Sequence, residues 1–214
     1  IKELANLIRV KNISTFRSNL RNYKMGLHFI PLNFIKILLS VLPKNRRVEF
    51  EKKIEMNTEK IKSGDSGKPI GNPKFPIKFS PEVAEIIGHI IGDGGIYENH
   101  KIPFYTNKSP ELLTQFEEDA LKIFGDIDIY EIELKKKPAR MILLPSICGR
   151  FLSLFCGRQT GEFKHIPSMI LESDKDSKRM FLRALFDDEG HVHITQNEIS
   201  FEMTSKSIVE TVKN

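Results

Sequence analysis

The sequence predicts an α+β fold built on an internal repeat and preceded by a small all-α domain. Three observations carry that reading. Two helix-like stretches, IIGHIIGDG at residues 86–94 and LRALFDDEG at residues 182–190, each run into an acid and a glycine. Short β-like runs and a further helix follow each of them, so the pattern returns after about one hundred residues. Charge divides the chain as well: residues 1–78 hold 17 Lys/Arg against 6 Asp/Glu, and residues 79–214 hold 16 against 22.

Residues 1–60 read as helical. A helix with Ser14 or Thr15 near its start is stopped by Gly26. Leu32, Ile35, Leu38, Leu39 and Leu42 then form a stripe that should face a core. Residues 61–78, IKSGDSGKPIGNPKFPIK, are rich in Gly, Pro and Ser and read as a linker. Their GDSG looks like the surroundings of a protease serine, but too little chain precedes it to supply structured His and Asp partners.

From Ser80 the pattern changes. SPEVAEIIGHII has a Ser cap and Pro at the first helical position. Val83, Ile86, Ile87, Ile90 and Ile91 make one apolar stripe. Ala84, Gly88 and Gly92, four apart, make a second stripe of small residues that lets another helix come close. GIYENH and KIPFYTNK read as strands, SPELLTQFEEDALKIFG as a helix, IDIYEIELKKK and RMILLP as a hairpin. A helix near residues 146–155 carries Cys148, with Cys156 at its end. In the second copy Met180, Ala184 and Asp188 match the small stripe, and EISFEMTSKSIVE echoes KIPFYTNKSPELL, with Ile199 and Phe201 set against Ile102 and Phe104. The copy reaches Asn214 before its hairpin and last helix, and the chain opens on Ile1 rather than Met. Both features read as a piece of a longer protein.

Apolar residues make up 40% of the chain, enough for a proper core. No apolar run approaches the roughly 18 residues of a membrane span, and no signal peptide is visible. Two cysteines in a chain of this size point to a reducing, intracellular setting, here cytoplasmic and nucleoid-associated. The basic first part has the footprint of a polyanion binder.

The acids carry the chemistry. A helix C-terminus already bears partial negative charge, so an acid there is poorly placed without a positive partner. If the two helices pack along their small stripes, a pseudo-two-fold axis runs between them and brings Asp93 and Glu189 together. Two such carboxylates repel, and one would take a proton unless a cation intervenes. The carbonyls of Gly92 and Asp188 add oxygen ligands. Carboxylates, carbonyls and water suit Mg²⁺. Duplex DNA has the matching pseudo-symmetry, and such metals assist phosphodiester hydrolysis. Each acid alone reads as an ordinary helix stop; a matched pair in a repeat favours the functional reading.

The two nine-residue motifs and the block KHIP at residues 164–167 together resemble the LAGLIDADG homing endonucleases, in the two-motif, intein-like or archaeal-type branch, across residues 79–214. The resemblance implies a duplicated αββαββα fold, here with its second repeat incomplete, whose sheets form a saddle over DNA. It implies a monomer with internal pseudo-two-fold symmetry that makes a staggered, Mg²⁺-dependent cut in double-stranded DNA and promotes mobility of the element. Asp93 and Glu189 would be the catalytic and metal-binding acids, and Lys164 would stabilise transition-state charge or orient the attacking water. On the strands Tyr97, Asn99, Lys101, Lys135, Lys137, His191 and His193 would meet DNA.

The stretch LANLIRVKNISTFRSNL resembles a helix-turn-helix, with Ser14, Thr15, Arg17, Ser18 and Arg21 on its DNA face. The expected domains are therefore 1–60, a linker at 61–78, and an endonuclease domain at 79–214. Two alternatives stand beside the nuclease: a DNA-binding regulator that has lost activity, and a maturase acting on its host intron RNA. Regulators on this fold lack the acids, which are present here.

Overall fold

A computed structural model describes residues 5, 10–64, 67–135, 138–156 and 164–213. The chain divides into two compact units, residues 1–58 and 59–214.

The first unit holds three helices, α1 (Ile13–Lys24), α2 (Leu32–Ser40) and α3 (Lys44–Asn57). Asn12 caps α1, its Oδ1 accepting from the Thr15 N–H at 3.0 Å, and Ser14 and Thr15 fall in the first turn, near the start as expected. Gly26 follows the helix in the left-handed region, φ +69°, as a glycine stop requires. Phe16 is buried, and Phe34 of α2 packs edge-on to it at 5.9 Å. The stripe expected on α2 is only half buried: Ile35, Leu38, Leu39 and Leu42 are partly covered, and Leu32 is exposed. Three short helices have too little interior to enclose it.

The second unit takes in the whole stretch read as a linker. There β1 (Lys60–Ile61) and β2 (Ile70–Gly71) pair antiparallel with each other, and β2 pairs with β5 (Asp126–Ile127). Ile70 is fully buried, so this Gly/Pro-rich stretch is anchored by an apolar side chain rather than left as a tether.

Next come α4 (Pro81–Ile91), β3 (Gly94–Tyr97), β4 (Ile102–Asn107), α5 (Pro110–Phe124), β5, β6 (Tyr130–Glu133), β7 (Arg140–Leu143) and α6 (Ser146–Cys156). The short α7 (Ser168–Leu171) leads to α8 (Lys175–Glu189), β8 (Gly190–His193), β9 (Glu198–Phe201) and α9 (Lys206–Val212). The first sheet is antiparallel in the order β3-β4-β7-β6; β8 and β9 form a second antiparallel pair. Mixed helices and antiparallel sheets make the unit α+β. No helix among the described residues is long and apolar enough to cross a membrane.

The core collects around α4, whose Val83 to Ile91 are all buried. Tyr105 and Ile142 close one side, Phe116, Ala120 and Phe124 of α5 another, and Phe181 and Leu185 of α8 a third. Cys148 and Cys156 lie buried in α6, where burial pushes the Cys156 thiol up to about 12.

Helix α4 packs on α8 through the small stripe. A Cβ added at Gly88 would stand 2.7 Å from Ala184 Cβ and 2.8 Å from the Phe181 carbonyl oxygen. One added at Gly92 would stand 2.5 Å from Asp188 Oδ2. Glycine is needed at both because the facing helix fills that space.

Candidate functional site

The acids sit where each motif helix gives way to a strand. Gly92 ends α4 and Asp93 follows, while Glu189 is the last residue of α8. Asp93 is open to solvent on one side and Glu189 is half buried. Loss of hydration, then Asp188, then Glu189 push the Asp93 carboxyl up to about 6. Partial burial likewise raises Glu189, with Asp188 adding to the effect and Lys164 opposing it. Like charges crowded at one place hold their protons longer.

Lys164 is half buried in this cluster and donates from Nζ to the carbonyl oxygens of Ile91 at 2.6 Å and Gly92 at 2.9 Å. Burial lowers its pKa, while Glu189, Asp93 and Asp188 oppose that shift. The Gly92 carbonyl, expected to face a metal, is therefore engaged by an ammonium group. The lysine neutralises the negative end of α4, as the helix dipole favours. Its own carbonyl accepts from Ser205 Oγ at 2.6 Å, and Ser205 also caps α9.

Asp188 was expected to present its backbone carbonyl. Its side chain is instead the hub of a buried polar network. Tyr105 Oη donates to Oδ1 at 2.6 Å, His89 Nδ1 lies 3.1 Å from Oδ2, and the Asp93 N–H donates to Oδ2 at 3.4 Å. Asn107 Nδ2 reaches Oδ1 at 3.3 Å. His89 is 1% exposed, and its Nε2 has no hydrogen-bond partner. Tyr105 is fully buried, and burial beside Asp188 pushes its phenol well above the usual range.

None of the sequence reasoning singled out Tyr105 or Asn107. A signal existed: Asp188 breaks a stripe of small residues opposite Gly92, and a buried acid there needs donors from the neighbouring strand.

Among the described residues no group of three or more His, Cys, Asp or Glu side chains is arranged to hold a metal ion. Two carboxylates with raised proton affinity remain. That donor set fits Mg²⁺, which keeps several waters and takes one or two protein carboxylates plus substrate phosphate.

Other expected contacts are dispersed. Tyr97 ends β3, stacked on Phe104 at 4.6 Å. Asn99 and Lys101 lie exposed or half exposed in the β3–β4 turn, where Lys101 has φ +53°. Lys135 is exposed after β6; Lys137 lies outside the described residues. His191 and His193 are exposed on β8, and His193 Nε2 lies 3.1 Å from Ser200 Oγ. In the first unit Ser14, Thr15, Arg17, Ser18 and Arg21 are all exposed on α1. Most of the helix expected before it lies outside the described residues.

The family model of a LAGLIDADG-like domain matches residues 176–214, from the first turn of α8 through Glu189 to α9. The match covers less than a fifth of the chain. The chain is 28% identical over 151 residues to a glutamine–fructose-6-phosphate aminotransferase of Methanocaldococcus jannaschii, covering 66% of this chain and 13% of that protein. It is 28% identical over 193 residues to the replication factor C small subunit of the same organism, covering 87% and 10%. With a DNA polymerase of Thermococcus aggregans it shares 28% over 130 residues, 56% of this chain and 6% of that one. The chain thus spans only a small part of the length of the curated relatives it matches.

Proposed function

We propose that this chain is a LAGLIDADG homing endonuclease of the intein-like branch, which hydrolyses phosphodiesters of duplex DNA at a specific long site and leaves a staggered cut. The duplicated αββαββα reading of the second unit belongs to this proposal. So does the reading of the first unit as a helix-turn-helix-like module that uses Ser14, Thr15, Arg17, Ser18 and Arg21.

One observation carries it. Asp93 and Glu189 stand at matching ends of two helices whose packing leaves no room for a Cβ at Gly88 or Gly92, and the charge of Lys164 acts on both. The relatives add support. The aminotransferase, the replication factor and the polymerase are named for unrelated activities, yet each shares with this chain a segment that is a small fraction of its length. A segment common to such different proteins is better explained as a mobile insertion than as part of their separate tasks.

Asp93 and Glu189 would hold Mg²⁺, which when bound supplies charge stabilisation at a phosphodiester. Lys164 keeps a positive charge beside both carboxylates, where negative charge builds on the phosphoryl oxygens. The exposed strand residues Tyr97, Asn99, Lys101, His191 and His193 would fix the duplex in register. The pseudo-two-fold pair of helices lets one chain address both strands without a second copy.

The test is cleavage of a randomised duplex library with Mg²⁺, beside Asp93→Asn and Glu189→Gln. Discrete cuts that vanish in both variants are expected. Intact binding of DNA or intron RNA without any cut by the unaltered chain would overturn the nuclease reading in favour of a regulator or a maturase.

A further inference from the structure

Asn107 ends β4, two residues before Ser109, the cap of α5. Its Oδ1 accepts from the backbone N–H of Lys108 at 2.8 Å and of Ser109 at 3.0 Å. Two backbone donors on one end of the amide settle which end is oxygen, because an NH₂ group accepts nothing there. The NH₂ is therefore turned the other way. It faces three oxygens: Tyr105 Oη at 3.0 Å, Asp188 Oδ1 at 3.3 Å and Asp93 Oδ2 at 3.4 Å.

Asp188 cannot yield to this arrangement, since its side chain is fully buried and held by Tyr105 and His89. Asp93 can, because one side of it is open to solvent. The amide is a side-chain donor shared by two carboxylates that repel each other. The second copy has no such device. A constant offset along the repeat sets Gly190 over Gly94, Phe201 over Tyr105 and the Ser205 cap over the Ser109 cap, so Met203 stands where Asn107 does. Methionine offers no N–H or O–H donor.

We propose that Asn107 is a positioning residue for Asp93: its amide, fixed by two backbone N–H groups, ties the Asp93 carboxylate to the buried Asp188 and holds it in the orientation that binds the divalent ion. This rests on the metal-dependent reading above. The cation of Lys164, by contrast, acts on both Asp93 and Glu189.

The experiment is Mn²⁺ titration of the full chain, followed by electron paramagnetic resonance, for the unaltered protein, Asn107→Ser, Asp93→Ala and Glu189→Gln, with the two double variants. Serine can still accept from the following backbone N–H groups but brings no amide donor. Asn107→Ser should weaken Mn²⁺ binding about tenfold, in the range seen when a ligand's hydrogen-bond partner is removed. It should weaken binding again on the Glu189→Gln background but add nothing on the Asp93→Ala background. A purely structural role would lower affinity on both.

Affinity within twofold of the unaltered chain, or equal losses on both backgrounds, overturns the proposal. If Asp93→Ala itself leaves Mn²⁺ binding unchanged, the metal reading falls and takes this inference with it. Should Asn107→Ser fail to fold, the unaltered protein carries the test by NMR. The Asn107 side-chain NH₂ resonance must shift with Mg²⁺ at the same midpoint as the Asp93 amide, and a resonance unmoved at saturation overturns the proposal.

Discussion

The two copies of the repeat share a backbone plan and differ in almost everything that plan carries. In each, a helix ends beside an acid, two antiparallel strands follow, and a serine caps the next helix. On the helix side of the sheet the first copy is polar, with His89, Tyr105 and Asn107. The second has Leu185, Phe201 and Met203 at those positions. On the opposite face the order reverses: Tyr97 and Ile102, Phe104 and Leu143, Met141 and Ile132 lie across from one another in the first copy, and His191 and Ser200, His193 and Glu198 in the second. The helix contact and the acid are what the two segments have in common. The surroundings of each acid have been built separately.

The largest way to break this pairing is at the shared contact. Gly88→Val pushes atoms into Ala184 and into a backbone carbonyl, neither of which can swing aside. It should destabilise the second unit by about 3 kcal/mol or more, seen as a melting-temperature drop of roughly 6–12 °C.

Next comes the asymmetry of the acids. With its carboxyl pushed up to about 6, Asp93 is protonated below that pH, so Mn²⁺ affinity should fall as pH drops through about 6. The stability sign is the opposite. A raised carboxyl favours folding at low pH, and that contribution is lost as pH rises from the ordinary value through about 6. Asp93→Asn should therefore melt slightly higher than the unaltered chain at pH 8 without metal, while losing cleavage by about a hundredfold or more. A lower melting point would mean that Asp93 supports the fold.

Glu85, one turn before His89 on α4, sharpens the contrast further. It is 2% exposed and faces Asp119 of α5, 1% exposed, with Lys122 on Asp119 and with His89 and Arg183 near Glu85. Burial, then Asp119, push the Glu85 carboxyl up to about 7. Stability supplied by the protonated form is full below the ordinary carboxylate value and lost as pH rises through about 7. Glu85→Gln should raise stability at pH 8 by about 1–3 kcal/mol and flatten the melting profile between pH 5 and 8. An unchanged profile would show that Glu85 does not hold its proton as described. The smallest effects belong to the outer faces. Tyr97→Ala and His191→Ala should each weaken duplex binding by about 1 kcal/mol, read from equilibrium binding at fixed salt.

Much of this was legible in the sequence. Helix starts at Ser80 and Ser109, the stops at Gly26 and Gly125, and the small stripe on α4 follow from local chemistry and appear as read. The register of the second copy did not. Matching Ile199 and Phe201 to Ile102 and Phe104 is one residue out, because the helix ends and caps pair Phe201 with Tyr105. A strand alternates faces with period two, so that slip would turn every side chain to the wrong side. The buried network was also hidden. Tyr105 and Asn107 lie more than eighty residues before Asp188, and only the fold shows that their strand supplies donors to the opposite helix.

Lys164 leads to one further consequence. Its ammonium group bridges the last two carbonyls of α4 beside the acids. This counter-ion is part of the chain, so chelators cannot strip it and dilution cannot remove it. Helix ends that would repel when bare can assemble before any dissolved ion arrives. On the proposed Mg²⁺-dependent reading, folding and metal loading would be separate events: EDTA should silence the protein without melting it, and the supply of Mg²⁺ would govern when it acts while leaving untouched how much folded protein is present.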